Sequence, residues 1–102
     1  MIRTAAPIGP GQTLDVGVLP GGRPPHAVTL NVTVTRPQNS GFLTVFPTGS
    51  ARPGVSNLNW TAGRTIPNQV VVKTGPGGKV SFHNGSYGTV DVVVDVFGYQ
   101  AY

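Results

Sequence analysis

Residues 28–35 read Val-Thr-Leu-Asn-Val-Thr-Val-Thr, an unbroken alternation of apolar and polar side chains built mostly from β-branched residues. Successive side chains of an extended strand point to opposite faces. Val28, Leu30, Val32 and Val34 therefore share one face, and Thr29, Asn31, Thr33 and Thr35 share the other. Branching at Cβ fits a pleated surface better than a helix. The period of two recurs along the chain, and no window shows a convincing period of 3.6. With 16 valines and 11 threonines in 102 residues, the chain is expected to be all-β with almost no helix.

Further strands are expected at 12–18, 42–46, 55–60, 68–74, 79–84 and 89–99, separated by segments rich in Gly, Pro, Asn and Ser. In the turn at 36–41, Pro37 fixes its own φ and removes a backbone donor, while Asn39 and Gly41 tolerate left-handed geometry. Pro47 closes the following strand, and the Pro/Gly run at 20–25 marks another turn. The joints at 75–78 and 84–88 are short, which predicts that the last three strands pair in sequence as an antiparallel meander. About seven short strands at this spacing predict an antiparallel two-sheet β-sandwich, with a small β-barrel or β-prism as the alternative. A chain of this length holds one core, so residues 1–102 are read as a single β domain.

Only 10% of the residues are charged, against about 25% in an average soluble domain, and Glu is absent. The surface must consist largely of Thr, Asn, Ser and Gln, which suits life outside the cell. Five arginines and two lysines outnumber three aspartates, giving a formal charge of +4. These cations are scattered singly beside Gly and Pro. Nucleic-acid binding needs a basic stripe that neutralises several phosphates at once, so no nucleic-acid partner is expected. The absence of Cys removes disulfides, thiol nucleophiles and thiolate metal sites. The longest apolar runs, 70–72 and 92–94, fall far short of a membrane span. Residues 1–4 lack the pattern of a secretion signal, so any such signal is expected to have been removed or to belong to a longer parent.

The strand at 89–99 departs from simple alternation. Val90, Val92, Val94 and Val96 line one face, and Val93 and Phe97 share the other with Asp91 and Asp95. Either a loop or a chain end covers that second face, or it is a contact with another copy or a tandem neighbour.

Residues capable of chemistry are few. Ser81 and His83 lie on one strand face at i,i+2, where side chains project in parallel instead of converging as a nucleophile and its base must. Asp91 and Asp95, four residues apart on a strand rising about 3.4 Å per residue, stand roughly 13 Å apart, too far for a glycosidase pair. Calcium would need six to eight oxygen ligands, and three scattered aspartates do not supply them. No cofactor, metal or catalytic residue is expected.

Sugar binding is the remaining site chemistry, because an aromatic face can stack on a pyranose ring while amides exchange hydrogen bonds with its hydroxyls. The candidates are Tyr87, Asn84, His83, Trp60, Asn57 and Asn59, with Tyr99 and Tyr102 as further aromatics. Tyr87, in a Gly-Ser-Tyr-Gly loop, is the aromatic expected to be exposed. Trp60 alternates with Leu58 and reads as core, and Asn57 and Asn59 have a structural alternative as caps of strand ends and turns.

From Ala27 to Tyr99 the segments follow a recognisable order. Val28 to Thr35 is followed by Gly41-Phe-Leu-Thr-Val-Phe-Pro47 and Ser56-Asn-Leu-Asn-Trp60. Next come Thr65-Ile-Pro-Asn-Gln-Val-Val-Val72, Gly78-Lys-Val-Ser-Phe-His-Asn84 and Gly88-Thr-Val-Asp-Val-Val-Val-Asp-Val-Phe-Gly-Tyr99. This order resembles the β-rich accessory domain that recurs, singly or in tandem, in large secreted proteins of actinobacteria. Such domains are often appended to peptidases, cell-wall amidases and polysaccharide-degrading enzymes. The family's opening Leu-Asp-Thr-Arg segment is represented here only by Arg3-Thr4. The resemblance implies a secreted, non-catalytic module that attaches to carbohydrate or the cell surface, and it transfers no ligand residue by position. The alternative function is assembly, with the apolar strand face packing on another copy or a tandem neighbour.

Overall fold

The computed structural model describes residues 3–18 and 26–101. The turn expected at 20–25, the side chain of His26 and Tyr102 lie outside the described residues.

Eight strands are present among the described residues: β1 (Arg3–Ile8), β2 (Thr13–Gly17), β3 (His26–Thr35), β4 (Gly41–Pro47), β5 (Leu58–Trp60), β6 (Ile66–Lys73), β7 (Lys79–Asn84) and β8 (Val90–Ala101). They form two four-stranded antiparallel sheets, ordered β1-β8-β3-β6 and β2-β7-β4-β5. The expected all-β sandwich is therefore the fold, and the sheets do not close into a barrel.

The inward faces carry the alternation read from the sequence. Val28, Leu30, Val32 and Val34 of β3 and Val90, Val92, Val94 and Val96 of β8 are buried against Leu43 and Val45 of β4, Leu58 and Trp60 of β5, and Val80 and Phe82 of β7. Burying one such aliphatic or aromatic side chain stabilises the fold by about 1.5–3 kcal/mol, so these two-residue repeats supply most of the driving force.

Three features differ from the sequence reading. An additional strand, β1, pairs antiparallel with β8 from Arg3↔Asp95 to Ile8↔Val90. Its Arg-Thr-Ala-Ala-Pro-Ile sequence lacks apolar alternation because it is an edge strand, where Pro7 is tolerated and only Ile8 needs to be buried. The fifth strand shrinks from 55–60 to Leu58–Trp60, and Val55 lies in a loop with 69% of its surface exposed.

The third difference is the pairing of the last three strands. They do not form a meander: β6 pairs with β3, β7 with β2 and β4, and β8 with β1 and β3. The linker after β6 is a one-turn 3-10 segment, Pro76–Gly78, with Gly77 and Gly78 at φ 76 and 70. A bridge between Gly75 and Lys79 closes this tight turn, whose left-handed positions suit glycine, and the chain passes through it from one sheet to the other. Gly75 passes so close to the Thr48 carbonyl that a Cβ there would collide with it.

No described segment covers the outer face of β8. β1 lies alongside its edge, and Val93 stays half-buried. Between Thr29↔Gly98 and Leu30↔Val96 the register shifts, so Phe97 bulges out of the ladder and is 59% exposed.

Pairing register also fixes where the loops fall. The connections 9–12, 36–40, 61–65 and 85–89 gather at one end of the sandwich. Ala101 at the end of β8 lies at the opposite end, and Arg3 at the start of β1 stands beside Asp95, midway along β8.

Candidate functional site

Because β4 is buried on both faces from Leu43 to Phe46, something must cover its outer side. The loop 48–57 does so. Asn57 Oδ1 accepts from the Val45 amide at 2.7 Å, the Asn57 amide donates to the Leu43 carbonyl at 2.8 Å, and Thr44 Oγ1 donates to the Val55 carbonyl at 3.2 Å. Between this loop and the sheet lies an open groove of about 230 Å³, lined by Phe42, Thr44, Arg52, Pro53, Val55, Ser56 and Asn59 among others. Phe42 supplies its aromatic surface. Its ring lies so close over Gly85 that a Cβ there would drive into it, and 39% of Phe42 remains exposed.

A second open groove, of about 380 Å³, adjoins the first through Asn59. It is lined by Asn59, Thr61, Arg64, Thr65, Ile66 and Pro67, and so runs from the end of β5 to the start of β6. Edge strands of different sheets meet there, and Asn68 Nδ2 donates across the seam to the Asn57 carbonyl at 2.8 Å.

Of the residues singled out in the sequence, Asn59 is exposed and shared by both grooves, with its Oδ1 accepting from Ser56 Oγ at 3.0 Å. Tyr87 is 94% exposed, in the loop whose Gly85 supports Phe42. Asn57 is used as the staple between the loop and β4. Trp60 is core, with its indole N–H donating to the Asn39 carbonyl at 2.8 Å.

Asn84 is fully buried. Its amide hydrogens reach the carbonyls of Ile8, Gly9 and Gly88 at 2.9–3.1 Å, and its oxygen accepts from the amide and hydroxyl of Ser86. It ties β1, β7 and the 85–89 loop together, and every polar atom of its side chain is taken up.

His83 is also buried, on the outer face of β7. Its Nδ1 lies 3.0 Å from Thr13 Oγ1, and its Nε2 meets the Arg52 guanidinium. Arginine carries only donors, so Nε2 accepts and the ring proton sits on Nδ1, directed at Thr13. Burial, and after it the charge of Arg52, lowers the His83 pKa from its ordinary value. The interaction ties the middle of the 48–57 loop to β7, and Arg52 also lines the groove.

Ser81 does not engage His83. Its hydroxyl donates to Asp15 Oδ1 at 2.5 Å and in turn accepts from Thr48 Oγ1 at 2.8 Å. Serine, histidine and aspartate thus share one face, but each is tied to a different partner from those a hydrolytic triad requires. Asp95 is held by Arg3 at 2.6 Å. Among the described residues no three His, Cys, Asp or Glu side chains gather, and no helix is long and apolar enough to cross a membrane.

Phe42 and Arg52 did not emerge from the sequence as site residues. The available signal was the strand 42–46, where Phe42 and Phe46 occupy what should have been a solvent face and so announce a covering loop. Comparison with known proteins adds no assignment: no family model matches the chain, and no curated protein matches it in sequence.

Proposed function

We propose that this domain is a non-catalytic accessory module of a secreted protein, which binds a polysaccharide or cell-surface glycan along the groove beneath the 48–57 loop. The observation that carries this reading is the seating of Phe42. An aromatic ring is backed by glycine and left partly open, with the amide of Asn59, the hydroxyl of Ser56 and the guanidinium of Arg52 around it. That is the pairing of ring surface and directional polar groups that sugars require. The groove is smaller than the roughly 300–1,000 Å³ of an enclosing ligand pocket and open to solvent, which suits a few residues of a long polymer better than a free small molecule. The sparsely charged surface and the resemblance carried by residues 27–99 support a secreted setting. The internal engagement of Ser81, His83 and Asp15 supports a binding role over a hydrolytic one.

Retention on insoluble polysaccharides and a glycan array test this reading. Phe42→Ala and Asn59→Ala should each weaken retention several-fold, and Tyr87→Ala should do so if its loop forms one wall of the binding surface. Unaltered retention in both groove variants, with the fold intact by circular dichroism, would remove the groove.

A second reading rests on the outer face of the first sheet, where Phe97 and Val71, 59% and 70% exposed, lie near each other across Thr29. That face would serve self-association or tandem packing. Light scattering decides it: a discrete dimer or trimer dispersed by Phe97→Ser would favour assembly, and a clean monomer would count against it.

A further inference from the structure

We infer that the polymer bound along the β5–β6 side is an anionic glycan, gripped by Arg52, Arg64 and Arg36, which lie in or beside the two adjoining grooves. The inference rests on the glycan reading above and adds the charge of the ligand. Arg52 lines the first groove and Arg64 the second. Arg36 stands next to Arg64: its amide donates to Thr65 Oγ1 at 3.1 Å, and the Gly63 amide donates to the Pro37 carbonyl at 2.7 Å, so the 36–40 and 61–65 loops are tied together.

Neither the Arg36 nor the Arg64 guanidinium holds a partner among the described residues, and no carboxylate is found among those lining either groove. The three aspartates are elsewhere. Asp15 is on β2, the edge strand farthest from β5 in its sheet, Asp95 on β8 is held by Arg3, and Asp91 on β8 stands opposite Thr35, close to Arg36 but lining neither groove. The two grooves themselves therefore carry arginine and no acid.

Two further observations set this side apart. Arg36 has φ 40, a conformation that costs a non-glycine residue about 1–3 kcal/mol and is found preferentially at functional positions. Arg52 is held at one end of its fork by His83, so that little side-chain entropy remains to be lost when its other donors meet an anion. Arginine presents a planar pair of donors that matches a carboxylate, sulfate or phosphate group, and one in each of two adjoining grooves, with Arg36 on the loop beside the second, suits a charge that repeats along a chain.

The test is retention of the 102-residue chain on polygalacturonate, dextran sulfate, neutral dextran and a DNA duplex, read by affinity electrophoresis. The expected result is retention by polygalacturonate or dextran sulfate, falling steeply with added salt and weaker for neutral dextran. The two polyanions distinguish carboxylate from sulfate recognition. Arg64→Gln should lose about tenfold, the equivalent of one charge-assisted hydrogen bond. Lys79→Gln, an equal change of charge at the end of β7 away from the 61–65 and 85–89 loops, should leave retention unaltered. If neutral dextran is retained as strongly as the polyanions, the glycan reading stands and the charge inference falls. If no polysaccharide is retained, the glycan reading itself falls. Equal retention of DNA, or an equal loss in Lys79→Gln, would reduce the effect to net charge and overturn the inference.

Discussion

The guanidinium of Arg52 donates to Nε2 of His83, so the imidazole is neutral in the folded protein and carries its proton on Nδ1 towards Thr13. Protonation of Nε2 would set two cations against each other in a buried position.

That relationship gives stability a definite pH dependence. The folded-state pKa of His83 is lowered, so the unfolded chain takes up the proton first. Stability is fully present above the ordinary histidine value of about 6.5 and declines as pH falls below it, until the lowered folded-state value is passed. Thermal unfolding followed by circular dichroism should show a lower midpoint at about pH 5 than at about pH 7.5. In His83→Gln this part of the dependence should disappear. Identical profiles for the two proteins would refute the neutral assignment.

Asn84 should be among the most sensitive positions in the molecule. Asn84→Ala takes the side-chain donor from the Ile8 carbonyl and the acceptor from the Ser86 amide, and leaves the Gly9 and Gly88 carbonyls and the Ser86 hydroxyl with one partner fewer, a loss of about 2–3 kcal/mol. Chemical denaturation measures it, and a loss below about 1 kcal/mol would show that water or a rearranged loop can replace the amide.

Two glycines should respond in opposite directions. Gly75→Ala puts a methyl group into the Thr48 carbonyl and should cost about 1–3 kcal/mol. Gly17→Ala meets nothing within 4 Å on an edge strand with ordinary backbone angles, and should be neutral or stabilising by up to about 1 kcal/mol. Comparing their unfolding midpoints checks the close approach of the 75–78 linker to the end of β4.

The lone tryptophan makes the core visible. Trp60 is 6% exposed, so its fluorescence should be blue-shifted and poorly quenched by acrylamide. A glycan bound in the groove should leave that resistance to quenching unchanged. Strong quenching of the folded protein would mean that the edge formed by β5 opens in solution.

The periodic part of this fold was legible in the sequence. The inward faces of β3 and β8 could be assigned from valine spacing alone, and burial of Trp60 followed from its phase with Leu58. What escaped were features fixed by pairing and not by period. β1 has no apolar stripe because an edge strand needs only one anchor. The 75–78 linker has the length and glycines of a hairpin turn, yet β6 pairs with β3 and β7 with β2 and β4, a choice made by long-range partners. The site was legible only in part: Asn59 and Tyr87 are at the surface, whereas Asn84 and Asn57 are spent within the fold. Phe42 and Arg52 come together only because the 48–57 loop folds back over β4, a long-range event with no local signature.

The positions of the first and last described strands have a consequence for any longer polypeptide that carries this domain. Since β1 enters and β8 leaves as neighbours in one sheet, both away from the 85–89 and 61–65 loops, flanking segments would attach on that side, and the module would hang from its host as a side branch. The opposite pole, with Tyr87, Arg36 and Arg64, would then face outward, free to sweep a surface while the tether stays behind.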